Sequence, residues 1–328
     1  MPPVTPGAET TYDDLLVVLN KSDHDAALVD PATLETVLKI ATGHGPHEAA
    51  VSPDGRRAYV ANYGLTGVFR EGERRDEPGH TLSVIDLERR AVVDTFDLGE
   101  FTKPHGMAVS ADGRRLWVTC EGAQAVLELD TASGRILTSW RTGQEVSHML
   151  VPTPDERKLY IANLRSGTAS VIDRAAGMVR TILTGEGAEG IDVTPDGREV
   201  WVTNRAAQTV TVIEVATDSI VTAFDSGGQM PIRVKFTPDG REAWISNARS
   251  NALTVFDVAT RRLLATVPVG AIPIGIQMSP DGRPAFVANT NDDQITVVDV
   301  PARRVVASFG TGSEPDGMAW ARRSGAKR

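Results

Sequence analysis

A single cysteine, Cys120, stands among 328 residues, so no intrachain disulfide can form. No stretch approaches the roughly 18 consecutive apolar residues of a membrane-spanning helix. The first residues, Met1-Pro2-Pro3-Val4-Thr5-Pro6, lack the apolar core of a secretory signal, so a cytoplasmic location is the expectation. Positive charge is in short supply: 34 Lys and Arg against 43 Asp and Glu give a net charge of -9. That balance argues against nucleic acid or an anionic membrane as partner, since both require a concentrated basic surface. Neither a Gly-rich phosphate loop nor a Ser-His-Asp pattern is evident, which disfavours nucleotide chemistry and serine hydrolysis.

What the chain does have is a repeat. A turn of the form Ser/Thr-x-Asp-Gly, with Glu156 replacing Gly once, recurs at Asp54, Asp112, Asp155, Asp196, Asp239 and Asp281. A period near 42 residues, with one insertion after the first copy, suits four short strands per unit. Each turn leads into an aromatic-headed apolar run such as Tyr59-Val60-Ala61-Asn62, Trp201-Val202-Thr203-Asn204 or Phe286-Val287-Ala288-Asn289, and Val17-Val18-Leu19-Asn20 is a seventh copy. These runs resemble the YVTN family of β-propeller repeats over residues 14 to 321. The repeats predict an all-β, seven-bladed β-propeller with four antiparallel strands per blade. The N-terminal strands lack an inner strand and Gly317-Met318-Ala319-Trp320 lacks companions, so the ring is expected to close by pairing the two ends. One domain then covers 13–321, between tails 1–12 and 322–328, with inner strands of the type Ala49 to Ser52. An insertion loop, 63–80, is expected over the channel mouth. The recurring aromatics read as interblade packing and the terminal Asn residues as backbone-satisfying groups.

Seven positions before each turn aspartate the chain comes into the inner strand. That position holds His47, His105, His148, Glu189, Ile232 and Ile274, with Asp316 at the matching place in the closing blade. Its surroundings are often Pro-x-Gly, as in Pro104-His105-Gly106, although Glu48, Met149 and Arg233 replace the Gly in three blades. Inner strands line a propeller's central channel, so these side chains should face one space. Three of the six histidines occupy the seven positions.

Three imidazoles and a carboxylate on consecutive blades suit a divalent transition metal, Zn, Fe or Mn, with His47, His105, His148 and Glu189 as ligands. Asp316 or Glu48 is placed to act as base. Ile232 and Ile274 on the opposite arc, with Tyr63, Phe69, Glu121 and Arg205 emerging on the same face, are the candidate substrate contacts. The expectation is a metal-dependent enzyme acting on a small-molecule substrate by lactonase-like hydrolysis or lyase-like elimination. Fe(II) oxygen chemistry at the same residues, a non-catalytic ligand- or protein-binding propeller, and histidines that merely cap strand ends are the alternatives.

Overall fold

The computed structural model describes residues 14–68 and 74–322. They form seven four-stranded antiparallel sheets arranged as the blades of a propeller. Blade 1 takes its inner strand, Pro315–Arg322, from the C-terminus and its other three, Asp14–Asn20, Asp25–Val29 and Thr36–Ala41, from the N-terminus. Leu16 pairs with Trp320 and Val18 with Met318, so the ring is closed by a strand-to-strand ladder. The inner strands of blades 2 to 7 are Pro46–Val51, Pro104–Val109, Ser147–Pro152, Ala188–Val193, Pro231–Phe236 and Pro273–Met278. Among the described residues no helix is long and apolar enough to cross a membrane.

Packing between blades supplies the core. Trp117, Trp201 and Trp244 are fully buried, and Trp201 meets Phe236 of the next blade edge-on at 5.4 Å between ring centroids. Burial of each such ring contributes roughly 1.5–3 kcal/mol. Six of the seven second strands carry a buried asparagine at the last position of the repeated run, and the seventh carries Cys120: Asn163 Nδ2 donates to the hydroxyls of Thr168 and Ser170 at 3.0 and 2.9 Å, and its Oδ1 accepts from Ser147. In the interstrand turns, Asp54 accepts from the Ser52 hydroxyl and from the Arg56 N–H, and Gly55 takes φ +69°. That positive φ is why Gly recurs there.

Three expectations need correction. The inner strand begins at Pro46, not Ala49, because the ladder resumes on the mouth side of a bulge. The insertion is not an irregular loop: strands Arg57–Val68 and Arg74–Asp86 continue as one hairpin, paired as far as Val68 with Arg74. The last strand runs to Arg322, which pairs with Asp14. Phe69, the expected tail 1–12 and residues 323–328 of the expected tail 322–328 lie outside the described residues.

Asn163→Ala removes a partner from three buried hydroxyls; Thr168 keeps Gln144 and Ser147 keeps Thr142, but Ser170 loses its bond, and a stranded buried group costs about 1–3 kcal/mol. The expected result is a lower urea midpoint with an unchanged β-sheet circular dichroism spectrum. An unchanged midpoint would remove these asparagines from the account of stability.

Candidate metal centre

A bulge aims the side chains at the mouth. In blade 2, Pro46 pairs with Asn62 and Ala49 with Val60, so His47 and Glu48 together oppose one residue, Ala61. The same shift places His105 and Gly106 opposite Thr119, and His148 and Met149 opposite Ala162. It recurs in all seven blades. Such a bulge redirects side chains out of the regular pleat. Two residues before each bulge the backbone turns left-handed, at Gly45, Lys103, Val146, Gly187, Met230, Ile272 and Glu314. The carbonyl of that residue accepts an N–H from the residue after the blade's asparagine position, as Gly45 does from Tyr63, Lys103 from Glu121 and Gly187 from Arg205. A second ring of side chains is thereby set beside the first: Lys21, Tyr63, Glu121, Leu164, Arg205, Ala248 and Thr290.

The polar members of the two rings interlock. Glu121 Oε1 lies 2.5 Å from His148 Nδ1, and Glu121 Oε2 accepts from the Tyr63 hydroxyl at 2.5 Å. Arg205 faces Glu189 at 3.1 Å, and Glu189 is 3.8 Å from His148 Nε2. The imidazoles pack in sequence, with ring centroids 5.3 Å apart for His47 and His105 and 3.9 Å for His105 and His148. Tyr63 lies 4.5 Å from the His47 ring. His47, Tyr63, Lys103, His105, Glu121 and His148 line a cavity of about 450 Å³. A larger cavity, of about 670 Å³, lies between the Asp196 and Asp239 turns and is spanned by the Arg261–Glu199 ion pair. A similar groove occurs between the Asp54 and Asp112 turns, so such grooves follow from the blade repeat.

The donors that converge are His105, Glu121 and His148, whose ligand atoms lie within 4.8 Å of one another. Glu121, expected to touch substrate, thus holds the carboxylate position expected of Glu189. His47 lies beside this trio with Nδ1 2.8 Å from the Gly45 carbonyl. The two expected bases are engaged elsewhere: Glu48 is bonded to buried Arg233 across the channel, and Asp316 lies 3.6 Å from Lys21. Ile232 is buried and Ile274 half-buried on the opposite arc. Arg233, Lys21 and Lys103 were not expected at the site. Lys21 was open to discovery from the register, since it follows Asn20 as Glu121 follows Cys120.

Electrostatics separate the histidines. Burial, then the charge of His148, hold His105 well below the ordinary histidine value, so it is neutral. Burial also pulls at His148, but the hydrogen bond it donates to Glu121 and the charges of Glu121 and Glu189 outweigh it and raise its pKa. Burial and the charge of Lys21 lower His47. Burial raises Glu189, against the opposing charges of His148 and Arg205. Burial and neighbouring Glu121 push the Tyr63 phenol up. Buried Cys120 is likewise pushed up and is no thiolate donor. His105 is 5% exposed, and its Nδ1 has no hydrogen-bond partner.

Comparison with known proteins supports the architecture. Residues 199–322, less than half of the chain, match the family model of the cytochrome d1 haem domain, a seven-bladed propeller. Hydrazine synthase of Kuenenia stuttgartiensis superposes with a TM-score of 0.75 at 24% identity, over 87% of this chain and 92% of that one. The periplasmic gluconolactonase of Pseudomonas aeruginosa gives 0.74 at 20% identity, over 94% and 99%. Dihydro-haem d1 dehydrogenase gives 0.67 at 19%, over 94% of this chain and 66% of that one. At these identities the likeness establishes the fold alone. Among curated proteins no sequence match is found.

In metal-free protein, His148 should titrate above about 6.5 and His105 well below it, followed by imidazole nitrogen shifts. The stability from the raised His148 is complete below about 6.5 and is lost as pH rises through its folded value. The depressed His105 acts oppositely: its contribution is present above about 6.5 and is lost as pH falls through its folded value. Glu121→Gln should bring His148 down. Two histidines titrating together near the ordinary value would contradict this electrostatic picture.

Proposed function

We propose that the protein is a metal-dependent enzyme acting on a small molecule at the channel mouth, with His105, Glu121 and His148 as ligands and lactone hydrolysis as the reaction class. The observation that carries this reading is the convergence of buried His105, Glu121 and His148, whose ligand atoms lie within 4.8 Å of one another, in a site where His105 also has a buried Nδ1 without a hydrogen-bond partner. A buried polar atom without a partner is costly unless an exogenous group meets it. Three protein donors leave coordination positions open, the pattern of catalytic rather than closed structural sites.

The donor set fits a single divalent cation, which would supply Lewis acidity toward a carbonyl oxygen. His148 must give up its proton to serve as a ligand, so binding releases a proton and weakens as pH falls. Tyr63 holds the outer oxygen of Glu121 and fixes the carboxylate plane. The general base is His47. Its Nδ1–H donates to the Gly45 carbonyl, which leaves the Nε2 lone pair free, and its lowered pKa keeps it unprotonated at neutral pH. Likeness to a gluconolactonase supports a lactone as the substrate class.

The residues fit haem poorly. The segment that matches the haem-domain model contains no histidine, and the imidazoles pack ring against ring with no slot between them.

Elemental mass spectrometry after incubation with Zn(II), Mn(II) or Fe(II) should find about one metal per chain, the stoichiometry of a single-cation site. That metal should be absent from the His105→Ala/His148→Ala variant at unchanged circular dichroism. Metal-loaded wild type should then open aldonolactones, with His47→Gln keeping the metal and losing turnover by about 10²–10⁴-fold. A chain that takes up none of the three metals, or one whose absorption spectrum shows stoichiometric haem, would overturn the proposal.

A further inference from the structure

We infer that Thr119 is the positioning residue that sets the distance between His105 and His148, and with it the metal affinity of the site. This inference rests on the metal reading above, but its geometry stands independently. The bulge in blade 3 places His105 and Gly106 opposite Thr119 and takes the Gly106 N–H out of the ladder. Thr119 Oγ1 accepts that N–H at 2.9 Å and donates its own hydrogen to the carbonyl of His148, in the next blade, at 2.6 Å. One hydroxyl thus ties the peptide group following His105 to the peptide group of His148. Thr119 is fully buried, so water has no route to replace it.

Gly106 permits the close approach. A Cβ there would lie 2.7 Å from the His148 carbonyl oxygen and 2.7 Å from the Met149 Cα. The blades are consequently held backbone to backbone at this point, and the imidazoles stack at 3.9 Å.

The molecule contains its own comparison. In blade 2 the residue opposite the bulge is Ala61, which offers no hydroxyl, and the ring centroids of His47 and His105 are 5.3 Å apart. Thr203 and Ser246 repeat the hydroxyl clamp in blades 5 and 6, where they hold the carbonyls of Ile232 and Ile274. Ser246 accepts the Arg233 N–H at 3.1 Å and touches neither histidine. The same device therefore serves a framework role at Ser246 and, at Thr119, sets the geometry of two ligands.

Thr119→Val keeps the shape and removes both hydrogen bonds. Zn(II) affinity, read by competition with a chromophoric chelator, should weaken by about 10–100-fold, the usual effect of losing a group that orients a ligand. Thr119→Ser keeps both bonds and should restore wild-type affinity. Ser246→Ala should lower the thermal midpoint comparably while leaving Zn(II) affinity unchanged; Thr119→Ala serves should the valine variant not fold. In metal-free protein the ring-proton shifts of His105 and His148 should move in Thr119→Val and not in Ser246→Ala. Equal Zn(II) affinity for Thr119→Val and wild type overturns the inference, and so do unmoved ring shifts. A wild type that binds no metal defeats the metal reading instead, and the ring shifts alone then decide whether Thr119 sets the spacing.

Discussion

The channel mouth depends on one backbone arrangement repeated seven times: a left-handed residue followed by a two-residue bulge. The left-handed residue turns its carbonyl toward the N–H that follows the asparagine position, and the bulge swings two side chains off the regular pleat. A left-handed non-glycine residue is uncommon, and here Lys103, Val146, Met230, Ile272 and Glu314 all adopt it. Each is held by the hydrogen bond its own carbonyl accepts, so strain at the mouth is offset locally. Two concentric rings of side chains result, and their chemistry can vary while the backbone does not.

Where glycine follows the bulge's first residue, it is there because neighbouring blades touch through their backbones. A Cβ at Gly190, Gly275 or Gly317 would lie 2.2 Å from a carbonyl of the next blade, at Ile232, Asp316 and His47 respectively. Replacing glycine at this point sends a side chain into the channel, and two replacements are used together. Glu48 and Arg233, 185 residues apart, meet across the channel as a buried ion pair beneath the histidines. A pair of this kind adds little net stability, since desolvation opposes attraction, but loss of either partner alone leaves a costly buried charge.

Blade number, strand order and ring closure were legible because the turn aspartates and aromatic runs recur with the period of a blade. The inner ring was legible for the same reason, since counting from the turn reaches His47, His105 and His148 in register. Partner choice was not. Glu121 meets His148 from the preceding blade, and nothing in their separation of 27 residues distinguishes that contact from one with Glu189. Glu48 looked available as a base because its partner, Arg233, comes from a blade across the ring. The insertion hairpin was read as a loop because its glycines and charges mask the strand alternation between Gly64 and Glu77. Thr119 was plainly visible in Trp117-Val118-Thr119-Cys120, yet its hydroxyl acquires a role only once the bulge frees the Gly106 N–H.

On the proposed reading, the charges at the mouth favour a cation at this place over others on the ring. Four buried carboxylates, Glu48, Glu121, Glu189 and Asp316, stand against three cations paired with them, while Lys103, which also lines the cavity, lies 3.8 Å from Asp76. Arg233 takes Glu48, Arg205 takes Glu189 and Lys21 takes Asp316. Among the described residues Glu121 has no such partner; it is bonded to a neutral phenol and to His148. An unbalanced buried carboxylate is expensive, so in metal-free protein the His148 proton must neutralise it, consistent with the raised pKa of that ring. On the proposed reading a divalent ion would take the place of that proton, with His105, Glu121 and His148 as its ligands. Exchange of the one for the other would leave each of these four carboxylates facing a cation.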